Sequence, residues 1–206
     1  MMKWKTWPAG VLLTVLLAAG GAQAEPLKFD RSRARPLASW KPQITNYSQR
    51  HYGEATWELT PTCIVLHYTA MPSFPWNLVR EGSFKGETPG LACHYVIDGD
   101  KVWEILPPNV RSRGAYGINH RAINIELMAL DEHDLAAKAK TLETCRRLCK
   151  QLMADHGIEK SHIYSHEQVA TMNRKVVPEA LDLINGAPYD KIDPGEANMA
   201  TVLKGL

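Results

Sequence analysis

The chain has 206 residues, 45% of them hydrophobic and 22% charged, with 14 Gly, 13 Pro and no low-complexity run. That is enough for one well-packed domain, and it excludes disordered and fibrous classes. The 24 basic and 22 acidic residues leave a formal charge of +2. Lys3 and Lys5 sit in an N-terminal stretch without acids, so the remainder is balanced and offers no electrostatic footprint for nucleic acid or anionic lipid.

Taken in chain order, Met1 to Ala24 combines a positive start (Lys3, Lys5), an apolar run from Val11 to Ala19 and the small-x-small triplet Ala22-Gln23-Ala24. This is the pattern of a secretory signal peptide (1–24) cleaved before Glu25. The alternative is a retained anchor, but the apolar run falls well short of the roughly 20 residues a membrane span requires. No Cys follows the run, which argues against a lipid anchor. The expected location is therefore outside the cytoplasm, periplasmic or secreted.

Residues 25 to 60 are rich in Pro and Arg with scattered aromatics, and read as an extended arm, its N-terminal part 25–44 preceding a domain over 45–206. Cys63 to His67 reads as a buried strand, Pro75 to Phe84 as a short helix, and Ala92–Ile97 with Lys101–Leu106 as a hairpin about Asp98-Gly99-Asp100. Ala122–Met128 is another strand. Asp131 or Asp134 is positioned to cap one long helix ending at His156, with Gly157 as its stop. Ile163–Ser165 is a last strand and Glu179–Ile184 a helical turn. Strands interleaved with helices predict a single α/β domain with a mixed central sheet flanked by helices. Of the four cysteines, Cys145 and Cys149 share the apolar face Leu135, Ala139, Leu142, Leu152, while Cys63 and Cys93 adjoin strands. They read as buried thiols in preference to disulfides, and they lack the paired spacing of a structural zinc site.

Eight histidines are present. His67 ends one core strand, His166 follows another, and Asp193 opens Asp193-Pro194-Gly195. Two imidazoles and a carboxylate with a fourth position open have the composition of a catalytic zinc site. Singly, each is weak evidence, since a His at a strand end is more often an ordinary surface or hydrogen-bonded residue than a ligand.

Five segments change that reading: IVLHYTA at 64–70, ACHYVIDGDKVWEILPP at 92–108, NHRAINIEL at 119–127, YSH at 164–166 and KIDPG at 191–195. In this order they resemble the zinc-dependent N-acetylmuramoyl-L-alanine amidases, the group that includes phage-lysozyme amidases and peptidoglycan-recognition proteins. The resemblance covers roughly residues 45–200 and implies that fold, a Zn²⁺ cofactor held by His67, His166 and Asp193, and a peptidoglycan or muropeptide substrate. It implies that Glu126 moves the proton of the attacking water to the leaving amine. Lys191 would steady the oxyanion of the tetrahedral intermediate.

The chain departs from the family pattern in three places. The stretch between His166 and Lys191 is longer than in most relatives, an insertion at about 172–189 expected to fold outward as a flap beside the cleft. Arg113-Gly114-Ala115 replaces the usual His-Ala-Gly, whose His lines the substrate groove. Cys93 stands where some phage members carry a catalytic Tyr. Arg113, Tyr116 and Asn119 are the remaining candidates to line the groove, and His94 and His120 to line it or to support the metal ligands from behind. The activity implied is hydrolysis of the amide between N-acetylmuramic acid and L-alanine. The alternatives are a non-catalytic peptidoglycan-binding module and a zinc peptidase acting on stem peptides. No segment indicates stable membrane insertion after cleavage of the signal, and none names a protein partner.

Overall fold

The computed structural model describes residues 25–79, 82–180 and 188–206. The signal-like segment 1–24 lies outside them, as does most of the turn read at Glu179–Ile184. Six strands form one mixed sheet in the order β1-β4-β3-β5-β2-β6. Its centre is parallel: β2 (Cys63–Tyr68) lies between β5 (Ala122–Leu127) and β6 (Ile163–Ser165), and β5 pairs with β3 (Tyr95–Asp98). β3 turns back onto antiparallel β4 (Lys101–Glu104), with Gly99 at φ 59° in the left-handed conformation that the Asp-Gly turn demands. The two-residue β1 (Phe29–Asp30) pairs beside β4.

The period of two along a strand sorts this sheet into a packing face and a working face. Ile64 and Leu66 of β2 and Ile123, Ile125 and Leu127 of β5 are fully buried on the first. They meet the apolar stripe Leu142, Cys145, Leu148, Cys149 and Leu152 of α3 (Ala139–His156), together with Met199 and Val202 of α5 (Glu196–Leu203). All four cysteines are buried and unpaired, as their spacing suggested. Val65 and His67 of β2, and Asn124 and Glu126 of β5, alternate onto the opposite face.

Four expectations need correction. First, the supposed extended arm contains a 16-residue helix, α1 (Leu37–Tyr52). Trp40, Ile44, Tyr47 and Tyr52 recur at helical spacing and bury themselves against Ala92, Leu106 and Val110, and Trp40 donates its indole N–H to the Arg111 carbonyl at 2.8 Å. That burial outweighs the cost of Pro42 within the helix. Second, the long helix is broken at Lys138 into α2 (Glu132–Ala137) and α3. Asp131 caps α2, and the Lys138 ammonium is drawn to the Met128 carbonyl at 2.8 Å. Third, the described part of the insertion does not fold outward. Val177 and Ala180 pack with Tyr164 and Val169, and the Glu179 carboxylate is bonded by Tyr164 Oη at 2.9 Å and by His162. Fourth, the helix read at Pro75–Phe84 reduces, among the described residues, to one 3-10 turn, Trp76–Leu78. Among the described residues, no helix is long and apolar enough to cross a membrane.

Candidate active site

β6, β2 and β5 are parallel, so their carboxyl ends share one edge of the sheet, where ligand sites of open α/β sheets form. His67 is in register with Glu126 across β2 and β5. On the other side Leu66 pairs with Ser165, and His166 follows at once as the first residue of α4 (His166–Ala170). Asp193 arrives from the loop before α5. Its carbonyl accepts from the Glu167 N–H at 3.2 Å, and Asn198 donates to the Pro194 and Glu132 carbonyls at 2.8 and 2.9 Å. That loop is thereby tied to both α4 and α2.

The three expected ligands meet. His67 Nδ1 and His166 Nδ1 are 2.9 Å apart, and Asp193 Oδ2 is 3.2 and 3.1 Å from them, all three residues buried. The imidazole protons point away from this triangle. His67 Nε2 donates to Asn124 Oδ1 at 2.9 Å, which can only accept because the Asn124 amide nitrogen donates to Ser112 Oγ at 2.8 Å. Tyr189 spends its hydroxyl proton on the Tyr116 carbonyl at 3.0 Å, so it accepts from His166 Nε2 at 3.3 Å. Three lone-pair atoms therefore converge on one point with no proton of a neutral imidazole between them. Tetrahedral ligands about 2.0–2.1 Å from a zinc ion stand about 3.3–3.4 Å from one another. Both the donor set and its size fit that ion.

The electrostatics of His166 and Asp193 agree with this. Burial and the neighbouring His67 depress the His166 pKa to about 4, which keeps that imidazole a lone-pair donor. Burial also opposes charge on His67, but the Asp193 and Glu126 carboxylates outweigh it and raise that pKa. Asp193, despite its burial, is held far below the usual carboxylate range by the two histidines.

Glu126 and Lys191 line the same cleft, a cavity of about 730 Å³ whose walls include Tyr47, Leu78, Phe84, Arg113, Tyr116 and Tyr189. Glu126 Oε2 is enclosed without a hydrogen-bond partner. Burial, with the nearby charge of Asp193, raises the Glu126 pKa to about 7 against the pull of His67 and Lys191. A carboxylate poised there suits general acid–base work near neutrality.

The other expected residues divide. Tyr116 lines the cleft. Arg113 reaches it too, but its guanidinium is occupied with the Phe84, Glu87 and Pro89 carbonyls and the Glu87 carboxylate, so it clamps the wall loop. Asn119 touches the cleft while its amide is used internally, accepting from the Gly114 and Ala115 N–H groups and donating to Tyr52 Oη. His94 and His120 do not line it, which corrects their expected groove role. His94 is fully buried between the Asn124 N–H and the Val110 carbonyl, and His120 is stacked on Tyr52 at 4.4 Å. Burial lowers both pKa values to about 4.

Sequence reasoning missed Asn124, Ser112, Tyr189 and Asn198. Asn124 carried a readable signal, since it stands two residues before Glu126 and shares its face. Tyr189 carried none, because only folding brings it to His166.

The sequence matches the family model described as N-acetylmuramoyl-L-alanine amidase over residues 57–180, well over half of the chain. Similar solved structures include a mutant endolysin from Bacillus subtilis, at 19% identity over 66% of this chain and 81% of that one, with a TM-score of 0.46. Others are an endolysin N-acetylmuramoyl-L-alanine amidase from Clostridium intestinale (21% identity, 53% and 71% covered, TM-score 0.45) and the amidase AmiD from E. coli in complex with an anhydro-muropeptide substrate (16%, 54% and 50%, TM-score 0.42). No curated protein matches the sequence. The family match takes in His67, Glu126 and His166 but stops short of Asp193, whose place beside them rests on the geometry alone. With β2, β5 and β6 all inside the matched span, the chain belongs to the N-acetylmuramoyl-L-alanine amidase family and is an amidase acting on peptidoglycan.

Proposed function

We propose that the protein is an exported, zinc-dependent amidase that cleaves the amide between the lactyl group of N-acetylmuramic acid and L-alanine in peptidoglycan or its soluble fragments. The observation that carries the metal reading is the triangle of His67 Nδ1, His166 Nδ1 and Asp193 Oδ2, with both imidazole protons engaged elsewhere. Zinc bound there supplies Lewis acidity and brings the pKa of water down to about 7. Glu126, one strand position across from His67, takes the proton of the attacking water and delivers it to the departing amine of L-alanine. Lys191 lines the same cleft and supplies a cation to steady the negative charge that the carbonyl oxygen gains. Tyr116 contributes an aromatic wall for the sugar or stem peptide.

Mass spectrometry of purified protein incubated with bacterial sacculi, with and without a chelator, tests this. Free stem peptides beginning with L-Ala, lost on chelation and restored by zinc, are expected. Binding to sacculi without peptide release, even from small muropeptides with zinc added, would replace the reading by a binding module. Peptides with another new N-terminus would make it a stem-peptide peptidase. Export rests on the pattern of residues 1–24. N-terminal sequencing of protein recovered from outside the cytoplasm should begin at Glu25, and cytoplasmic retention with residues 1–24 attached would refute it.

A further inference from the structure

The insertion between His166 and Lys191 ends in Tyr189, and this residue faces the candidate metal centre. Its ring stands 5.8 Å from that of His166 at 72° and 6.2 Å from that of Tyr116 at 66°. Its backbone N–H donates to the Ala170 carbonyl at 3.1 Å, fixing the chain beside the end of α4. The phenol has a single proton, and that proton goes to the Tyr116 carbonyl, leaving an oxygen lone pair toward His166 Nε2.

A neutral imidazole also carries a single proton. Among the described residues the Tyr189 oxygen is the only partner of Nε2. It offers that proton a place outside the triangle, in competition with the Asp193 carboxylate at Nδ1, and with the proton there Nδ1 presents its lone pair to the point shared with His67 and Asp193. Removing the hydroxyl frees the ring to carry its proton on Nδ1, inside the triangle, where it opposes a cation. His67 receives the same service from Asn124, a strand neighbour on the sheet itself. His166 receives it from a residue delivered by the insertion.

We propose that Tyr189 is a positioning residue of the metal centre: its hydroxyl, anchored on the Tyr116 carbonyl, holds His166 with Nδ1 aimed at the ion and so sets the affinity for zinc. This rests on the zinc reading above and assigns the end of the insertion a role in building the site.

The test compares the full chain with its Tyr189→Phe variant, both stripped of metal. Zinc affinity is read by competition with a chromophoric chelator, and the His166 tautomer by nitrogen–proton correlation NMR of the ring. The variant keeps the ring and its packing, so an unchanged melting temperature of the metal-free protein is expected. Zinc affinity should fall by about 10–100-fold, the usual effect of losing a partner that orients a ligand. The NMR should show a larger share of the Nε2–H form in the parent than in the variant. Equal zinc affinity in the two proteins would overturn the proposal. So would the same distribution of the His166 proton between Nδ1 and Nε2 in parent and variant. If the parent itself binds no zinc, the metal reading fails, while the tautomer comparison still decides whether Tyr189 governs His166.

Discussion

Glu126 occupies the place where a strand residue is least expected to be charged: a central strand, flanked by fully buried Ile125 and Leu127, with an oxygen that has no partner. That free oxygen is what makes it useful, because a lone pair with no hydrogen-bond donor on it is ready to accept a proton. Replacing Glu126 by Gln should leave zinc binding intact and reduce amide hydrolysis by about 10²–10⁴-fold, the range of general acid–base contributions. Metal content by atomic spectroscopy together with product release decides it, and full activity would remove Glu126 from the chemistry. Gly114 is the second residue with a defined burden. A Cβ there would stand 2.6 Å from Asn124 Cγ and 2.9 Å from its Cβ, and Asn124 is already fixed between His67 and Ser112. Gly114→Ala should therefore cost about 1–3 kcal/mol by overpacking and weaken zinc binding through His67. Denaturant unfolding and zinc titration should move together; a change in neither would show that Asn124 has room to yield.

At the scale of elements, the site is assembled by three parallel strands and one loop, and the loop is the weaker support. Asp193 is held in place by the contact of its carbonyl with α4 and by Asn198, which bridges the Pro194 and Glu132 carbonyls from the first turn of α5. Asn198 is 3% exposed. Asn198→Ala leaves two carbonyls without their donor, and stability should drop by about 1–3 kcal/mol. The same change should weaken zinc binding, because the loop that carries the carboxylate ligand loses its tether to α2. Thermal melting with and without zinc checks both effects, and zinc should protect the variant less than the parent. Helix α1 acts on the opposite wall. Through Trp40 and Tyr47 it packs behind the Arg113 clamp, whose guanidinium lies 4.7 Å from the Tyr47 ring.

For the molecule as a whole, acid tolerance turns on a few paired carboxylates. Glu54 is partly buried, which by itself would raise its pKa, but hydrogen bonds from Arg121 and Arg111 prevail and bring it from 4.5 to about 2. A carboxylate whose folded pKa lies below its unfolded value stabilises the protein above the unfolded value, and that contribution is lost as pH falls through the folded one. The loss thus falls between pH 4.5 and about 2. Glu54→Gln should be less stable than the parent at pH 6 and should lose less stability across that window. Melting curves measured from pH 6 to pH 2 would show this as converging midpoints, and parallel curves would refute it.

What the linear order of residues determined was everything that depends on near neighbours. The hydrophobic run of β2, the Asp-Gly hairpin, the apolar stripe of α3 and its Gly157 stop are local patterns, and each formed where its period and punctuation placed it. His67, Glu126, His166 and Asp193 were legible because five ordered segments carry them. The α1 helix was obscured by Pro42, since its reason to form is burial against Ala92, Leu106 and Val110, which no local window contains. The same holds for His94 and His120, whose side chains look free in sequence and are committed in the fold. Only the tertiary structure brought Asn124 under His67, Tyr189 under His166 and Asn198 under the Asp193 loop. Hydrogen bonds of this kind join residues far apart in the chain, and their distances exist only once the hydrophobic faces have closed.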